Sequence, residues 1–318
     1  MGETRMVWLF PGQGSQFVGM GRELCREFEP ARRLLELASQ LSGLPLETYC
    51  WQGPEELLAR TDVLQPAVTA VSLGCLALLQ ERGWAPDAVA GHSLGQYAAL
   101  CAAGVLTPEE TLQLVAERGR LMHEAASRHP GGMLAVNGLT GDDAEAVVRG
   151  LAGRFRISVA NYNAPSQTVL SGEHDGLAEA ARKVAELGGQ AVPLRVSGAW
   201  HSPLMEEARA RFGEALRRVE FRPPHRRLWL DITGEPEADP QRIAEAMHAQ
   251  LSAPVRWTAV LEGVRVGGAG MFVEVGPGKV LRGLLRRTWR AADFRTVGVD
   301  GPAALPFLSR QVGAEAAS

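Results

Sequence analysis

The chain alternates short, wholly apolar runs with longer stretches whose apolar positions recur at helical spacing. Met6-Val7-Trp8-Leu9-Phe10 is such a run and stops at Pro11-Gly12, which predicts a buried strand emptying into a loop, with a helix beginning near Ser15. Residues 69–80 read as an apolar helix and 88–90 as a brief strand that enters Gly91-His92-Ser93-Leu94-Gly95 and then, at once, a helix. Thr107-Pro108-Glu109-Glu110 combines a capping box with proline at the first helical position, so a helix is expected from Pro108 to about Ala126, broken by His129-Pro130-Gly131-Gly132.

Beyond that break the elements shorten. Strand patterns at 133–137, 157–160, 168–170 and 191–194, with helical patterns at 142–151 and 177–187, give the order β-α-β-β-α-β. This is the ferredoxin-like arrangement, a compact unit that inserts into a larger domain through neighbouring ends. From Pro203 the longer rhythm returns, with a helix to about Val219, a strand at 228–231, a helix at 241–251, a strand at 271–275, and a helix after Gly276-Pro277-Gly278-Lys279. The alternation predicts an α/β fold with a mostly parallel sheet covered on both faces. The expected organisation is a discontinuous larger domain over 1–127 and 199–300, an insert over 128–198 and a C-terminal tail over 301–318, disordered after Gln311.

Composition narrows this picture. With 318 residues, 46% hydrophobic and 22% charged, the chain suffices for one large domain or a large one carrying a small one. No apolar run approaches the roughly 20 residues of a membrane span, because Glu, Arg or Gln interrupts each, so a membrane protein is excluded. The polar start, Met1 to Arg5, lacks the layout of a signal peptide, and a cytoplasmic location is expected. Cys25, Cys50, Cys75 and Cys101 are singly spaced, which signals neither a metal site nor a disulfide framework. A net charge of -3 argues against nucleic acid as the main partner.

Gly91-His92-Ser93-Leu94-Gly95 fits G-x-S-x-G between a strand and a helix, the setting of a nucleophile elbow. Ser93 would stand at the helix N-terminus, where the Leu94 N–H and the helix dipole favour an oxyanion. Serine at its ordinary pKa needs a base. His92 diverges from its neighbour at such a turn and reads as a structural, hydrogen-bonding histidine, whereas His201 lies in a loop after the insert's last strand and is the better candidate. His123, His129, His174, His225 and His248 have no comparable setting.

Five motifs in order then carry a resemblance: Phe10-Pro11-Gly12-Gln13-Gly14-Ser15-Gln16, Gly91-His92-Ser93-Leu94-Gly95-Gln96, Glu117-Arg118-Gly119-Arg120-Leu121-Met122, Gly198-Ala199-Trp200-His201-Ser202 and Glu274-Val275-Gly276-Pro277-Gly278-Lys279-Val280-Leu281. From about residue 6 to 290 the chain resembles the malonyl-CoA:acyl-carrier-protein transacylases and the acyltransferase domains of polyketide synthases. The resemblance implies an α/β-hydrolase-like domain with a ferredoxin-like insert. It implies transfer of malonyl from coenzyme A to the phosphopantetheine thiol of an acyl carrier protein through a seryl acyl-enzyme, by a monomer with no cofactor and no metal, the coenzyme A thioester being a substrate.

Carried onto this chain, Ser93 resembles the nucleophile and His201 its general base, with the Gln250 carbonyl where the family orients that histidine. Gln13 and Leu94 match the oxyanion site, and Arg118 the arginine that pairs with the free carboxylate of malonate. Gln65 matches a pocket-lining glutamine and Asn161 an element of the insert that lines the cleft. A planar guanidinium holds a carboxylate through two parallel hydrogen bonds, which lysine cannot copy. Arg286, Arg287 and Arg290, placed on the last helix, are candidates for meeting an acidic carrier.

Some positions depart from the family. Gln96 stands where Glu is usual, which removes a charge beside the site; Leu228-Trp229-Leu230-Asp231-Ile232-Thr233 replaces a Ser-Asn-Val-Thr-like strand and alters the floor; and Trp200 stands where Phe or a smaller residue is common, a position associated with acyl choice. The rival readings are a trans-acting polyketide acyltransferase with another acyl unit, a thioester hydrolase using the same Ser-His dyad, and a non-catalytic carrier-binding protein. The Gly-rich stretches at 12–15 and 276–279 are not phosphate loops, since neither fits G-x-x-x-x-G-K-[ST].

Overall fold

The computed structural model describes residues 5–313. Ten strands make two sheets: β1 (Arg5–Phe10), β2 (Ala88–Gly91), β3 (Gly132–Asn137), β4 (Ile157–Ala164), β5 (Gln167–Gly172), β6 (Gln190–Pro193), β7 (Arg227–Trp229), β8 (Pro236–Glu237), β9 (Ala269–Val275) and β10 (Arg295–Val299). The large sheet runs β10-β9-β1-β2-β7-β8, parallel throughout except for β8, which is antiparallel to β7. Alternate side chains of β1 enter two separate cores, Trp8 and Phe10 on one face and Val7 and Leu9 on the other, which is why its sequence is apolar without alternation.

The second sheet runs β4-β5-β3-β6, with every pairing antiparallel, and its helices Gly141–Leu151 and His174–Glu186 close a third core around Leu134, Val136, Val147 and Leu170. This is the ferredoxin-like topology expected for the insert. Met133, pointing the other way from β3, joins the large core instead. Capping boxes fix the starts of the helices Pro108–Arg128 and Gly141–Leu151, Thr107 with Glu110 and Thr140 with Asp143.

Several expectations are corrected. Ser15 begins no helix: its hydroxyl donates to the Gly12 carbonyl in a turn, and the first helix is Arg22–Glu27. The apolar helix starts earlier than residue 69 and runs Thr61–Glu81, through Pro66. That helix is long and apolar enough to cross a membrane, contrary to the expectation that no such stretch exists; 89% of its most apolar window is buried inside the protein. From Pro203 there is a short 3-10 turn, Pro203–Met205, before the helix Glu206–Leu216. β7 stops at Trp229, so Leu230 and Asp231 lie beyond the strand. Helices Glu29–Ser42 and Trp257–Val266 and strand β10 were not anticipated. The expected tail is folded as far as Gly313: helix Leu305–Gly313 buries Leu308 in the large core, while 314–318 lie outside the described residues.

Candidate active site

β2 ends at Gly91 and the helix Gly95–Ala102 begins four residues later, so the chain reverses within His92, Ser93 and Leu94. Glycine is required on both sides of that turn. A Cβ at Gly91 would lie 2.1 Å from the Gly95 carbonyl carbon, and one at Gly95 would lie 1.9 Å from the Phe10 carbonyl oxygen. Ser93 itself takes φ 51°, a left-handed conformation uncommon outside glycine.

Ser93 Oγ lies 2.7 Å from His201 Nε2. On its other side, His201 Nδ1 lies 2.9 Å from the Gln250 carbonyl and 3.0 Å from that of Ala253. Two carbonyls can only accept, so Nδ1 carries the proton and Nε2 presents its lone pair to the serine hydroxyl. Burial, then the nearby Arg118 charge, pushes the His201 pKa down to about 3, which keeps the ring neutral and able to accept a proton.

Arg118 is buried to 1% exposure on the helix Pro108–Arg128. Its guanidinium donates to Gln65 Oε1 at 2.8 Å, to Ser93 Oγ at 3.3 Å and to Gln250 Oε1 at 3.4 Å, while its Nε has no acceptor. Among the described residues it has no carboxylate at ion-pair distance. A buried cation left so is costly unless a ligand supplies the anion. Gln65, anchored on Thr61 at 2.9 Å, is fully buried behind Arg118 and does not line the cavity, a correction of its expected place.

The cavity above Ser93 is about 200 Å³ and opens between the two sheets. Gln13, Leu94, Arg118, Asn161, Trp200 and His201 all border it, so the structure brings these candidates together. Gly12 lies flat on the elbow, where a Cβ would stand 2.4 Å from the His92 carbonyl, and this sets Gln13 alongside Leu94. Neither the Gln13 nor the Leu94 N–H finds an acceptor among the described residues, so both are free for a developing oxyanion. The Trp200 indole is buried and faces the cavity with its Nε1 unpartnered. His92 Nε2 pairs with Asn163 Oδ1 at 2.8 Å, edge-on to Trp257, and both His92 and Asn163 also border the cavity.

Sequence reasoning gave no role to Asp231. Its carboxylate, 1% exposed, accepts the Ser93 N–H at 2.8 Å and the Gln250 side-chain amide at 2.9 Å. The altered run 228–233 was the available signal. Gln96 does not leave the site short of a carboxylate, as its sequence suggested: its amide donates to the Trp229 carbonyl and accepts the Asp231 N–H, with the Asp231 carboxylate close by. The helix Val280–Thr288 turns Val280, Leu281 and Leu284 toward the cavity and leaves Arg286 and Arg287 exposed beside it. Arg290 lies past its end, and the last helix is Leu305–Gly313, so the expected trio is reduced to a pair on this helix.

A family model described as acyl transferase domain matches residues 7–311. The malonyl CoA-acyl carrier protein transacylase of Bacillus subtilis (strain 168) is 34% identical over 301 residues, which cover 94% of each chain. The polyketide biosynthesis protein ThaF of Burkholderia thailandensis is 37% identical over 319 residues, taking in 99% of this chain and 26% of that protein. The solved structure of a type II PKS acyl-carrier protein in complex with its malonyl-transacylase matches with a TM-score of 0.91 and 34% identity, over 97% of this chain and 100% of that one.

Proposed function

The chain belongs to the acyl transferase domain family, and from that premise we propose that it moves malonyl from coenzyme A to the phosphopantetheine thiol of an acyl carrier protein, using Ser93 as the acylated residue. His201 Nε2 takes the hydroxyl proton as Ser93 Oγ attacks the thioester carbonyl. The oxyanion that forms is met by the N–H groups of Gln13 and Leu94. Collapse expels the coenzyme A sulfur, which receives the proton from His201. The carrier thiol then gives its proton to His201 and repeats the sequence in reverse, so Ser93 ends as it began.

The observation that carries this reading is Arg118, a buried guanidinium 3.3 Å from the nucleophile with no carboxylate paired to it. A malonyl carboxylate supplies the missing anion; a neutral acyl group does not. A hydrolase would differ only in its acceptor, and release of free malonate in the absence of a carrier would mark it. We take the protein to be a monomer acting in the cytoplasm, with 128–198 as the insert that roofs a catalytic domain over 1–127 and 199–300. No cofactor enters, since the thioester is itself the activated donor.

The polyketide relative, which matches almost this whole chain, favours a second acceptor: the carrier of a polyketide assembly line. Intact-protein mass spectrometry with a panel of acyl-CoAs tests the donor, and carriers from both pathways test the acceptor. Malonyl is expected on Ser93 and nothing on Ser93→Ala. Arg118→Ala should lower malonyl loading by about 10²–10³-fold, with a much smaller effect on acetyl loading. Equal losses for both acyl groups would make Arg118 structural and return the reading with another acyl unit.

A further inference from the structure

The nucleophile and its base are supported from one point below them. Asp231 accepts the Ser93 N–H at 2.8 Å, and Gln250 Nε2 donates both to Asp231, at 2.9 and 3.1 Å, and to the Ser93 carbonyl at 3.0 Å. The two side chains thus hold the Ser93 residue by both of its main-chain groups. The main-chain carbonyl of the same Gln250 accepts from His201 Nδ1 at 2.9 Å, and its Oε1 accepts from Arg118 at 3.4 Å. Donors and acceptors along this network agree in only one way: Arg118 to Gln250, and Gln250 and Ser93 to Asp231. We propose that Asp231 is the positioning residue on which nucleophile, base and carboxylate-binding arginine are jointly aligned, and that acyl transfer requires its carboxylate ionised.

The requirement follows from the company it keeps. Both hydrogen-bond partners of the carboxylate, the Ser93 main-chain N–H and the Gln250 side-chain amide, are donors, so a proton added at Oδ1 would face the Gln250 amide and displace its 3.1 Å contact. An asparagine fails in a related way. Its amide nitrogen would oppose that of Gln250, and turning Gln250 over would point its nitrogen at Arg118. The neutral Gln96 completes the arrangement, because a second carboxylate beside the Asp231 peptide would repel the first.

The charged and titratable groups around Asp231 are Arg118 from the helix Pro108–Arg128, Tyr97 from the helix Gly95–Ala102, and His201 beyond Gln250; Arg256 meets it only through its N–H, bonded to the Asp231 carbonyl at 2.6 Å. Burial pushes the Tyr97 pKa up, so it stays protonated, and lowers that of Arg118 from a starting point so high that the guanidinium stays charged. His201 is neutral above about 3. Asp231 is pushed up to about 7 by burial, against its hydrogen bonds and Arg118, which oppose the rise. As pH falls through that value the carboxylate takes a proton and the alignment is lost, so the rate falls toward acid through Asp231 while His201 remains a competent base.

This inference rests on Ser93 being the acylated residue. The test is the rate of acyl-enzyme formation at saturating malonyl-CoA, measured from about pH 5.5 to about pH 9 on wild type and Asp231→Asn. Wild type should lose about tenfold per pH unit below its midpoint. Asp231→Asn should be slower by about 10–10²-fold at about pH 8, flat toward acid, and within about threefold of wild type in KM for malonyl-CoA. In wild type alone, the Ser93 amide proton shift should titrate with the same midpoint as the rate, a readout that does not depend on the variant folding. A fixed Ser93 shift, an acid limb retained in Asp231→Asn, or a wild-type rate in that variant overturns the proposal. Malonyl found on Ser93 together with any of these removes the Asp231 assignment only; no malonyl on Ser93 at any pH removes the underlying reading as well.

Discussion

Ser93 and His201 face each other across 2.7 Å and share a left-handed backbone, φ 51° and φ 58°, but they are held there by different means. Around Ser93 the constraint is main chain against main chain: the glycines at 91 and 95 have no room for a methyl group. Around His201 it is a set of separate hydrogen bonds, one within its own loop and the others from distant segments. Ser202 Oγ donates to the Ala199 carbonyl at 2.6 Å, Ser158 Oγ on β4 donates to the His201 carbonyl at 3.2 Å, and Nδ1 reaches Gln250 and Ala253. The turn that carries the proposed nucleophile is therefore fixed by steric exclusion, which has no graded loss, leaving Asp231 and Gln250 to set the fine alignment of Ser93 within it, whereas the proposed base depends on polar contacts that can be removed one at a time.

Gly95→Ala is the severest way to break the first arrangement. The new methyl would meet the Phe10 carbonyl at the centre of the sheet, so the protein should lose its cooperative thermal transition, or all detectable malonyl loading, by differential scanning calorimetry and mass spectrometry. A folded, active Gly95→Ala protein would show that the elbow yields. On the other side, His201→Ala should leave the fold intact and cut acyl transfer by about 10²–10⁴-fold. A loss of folding there would mean that the base's loop is as steric as the elbow.

Trp200→Ser acts between these extremes, since the indole borders the cavity beside the base. Wild type should prefer malonyl-CoA over methylmalonyl-CoA by roughly 10- to 200-fold, and the variant should narrow that ratio mainly by admitting the branched unit. Paired acyl-enzyme measurements check it, and an unchanged ratio would place the selecting wall elsewhere. The smallest effect is expected from Ser158→Ala, which removes one of several supports of His201. About 0.5–1.5 kcal/mol corresponds to a roughly two- to tenfold loss of kcat, with KM unchanged, in steady-state transfer assays.

The contrast also explains how much could be read from the chain alone. Steric exclusion leaves a local trace, so Gly91 to Gly95 announced the turn, and with it the residue proposed as nucleophile. The ferredoxin-like unit was equally plain because its six elements are consecutive. Asp231 left no such trace: one carboxylate beyond a short strand looks like turn chemistry until the fold carries it beneath Ser93. Gln65 could be matched to a pocket, but its burial behind Arg118 depends on how two long helices pack. Helix Trp257–Val266 lacks a side-chain cap at Arg256, and β10 carries Arg295 and Gly298 in a half-buried edge position, so neither shows a clean period.

The position of β1 has a consequence for how the protein is made. The first strand of the chain lies inside the sheet, between β2 and β9, so one of its two neighbours is synthesised only when the ribosome reaches residues 269–275. The insert has no such wait, because all four of its strands and both of its helices lie within 132–193. Contacts of such different sequence separation form on different timescales, local ones first. The nascent chain therefore carries a closed small sheet on an open large one, with the apolar helix Thr61–Glu81 awaiting its full cover. Its exposure to aggregation is concentrated in that interval and falls as β9, then β10 and the helix Leu305–Gly313, arrive to complete the large core.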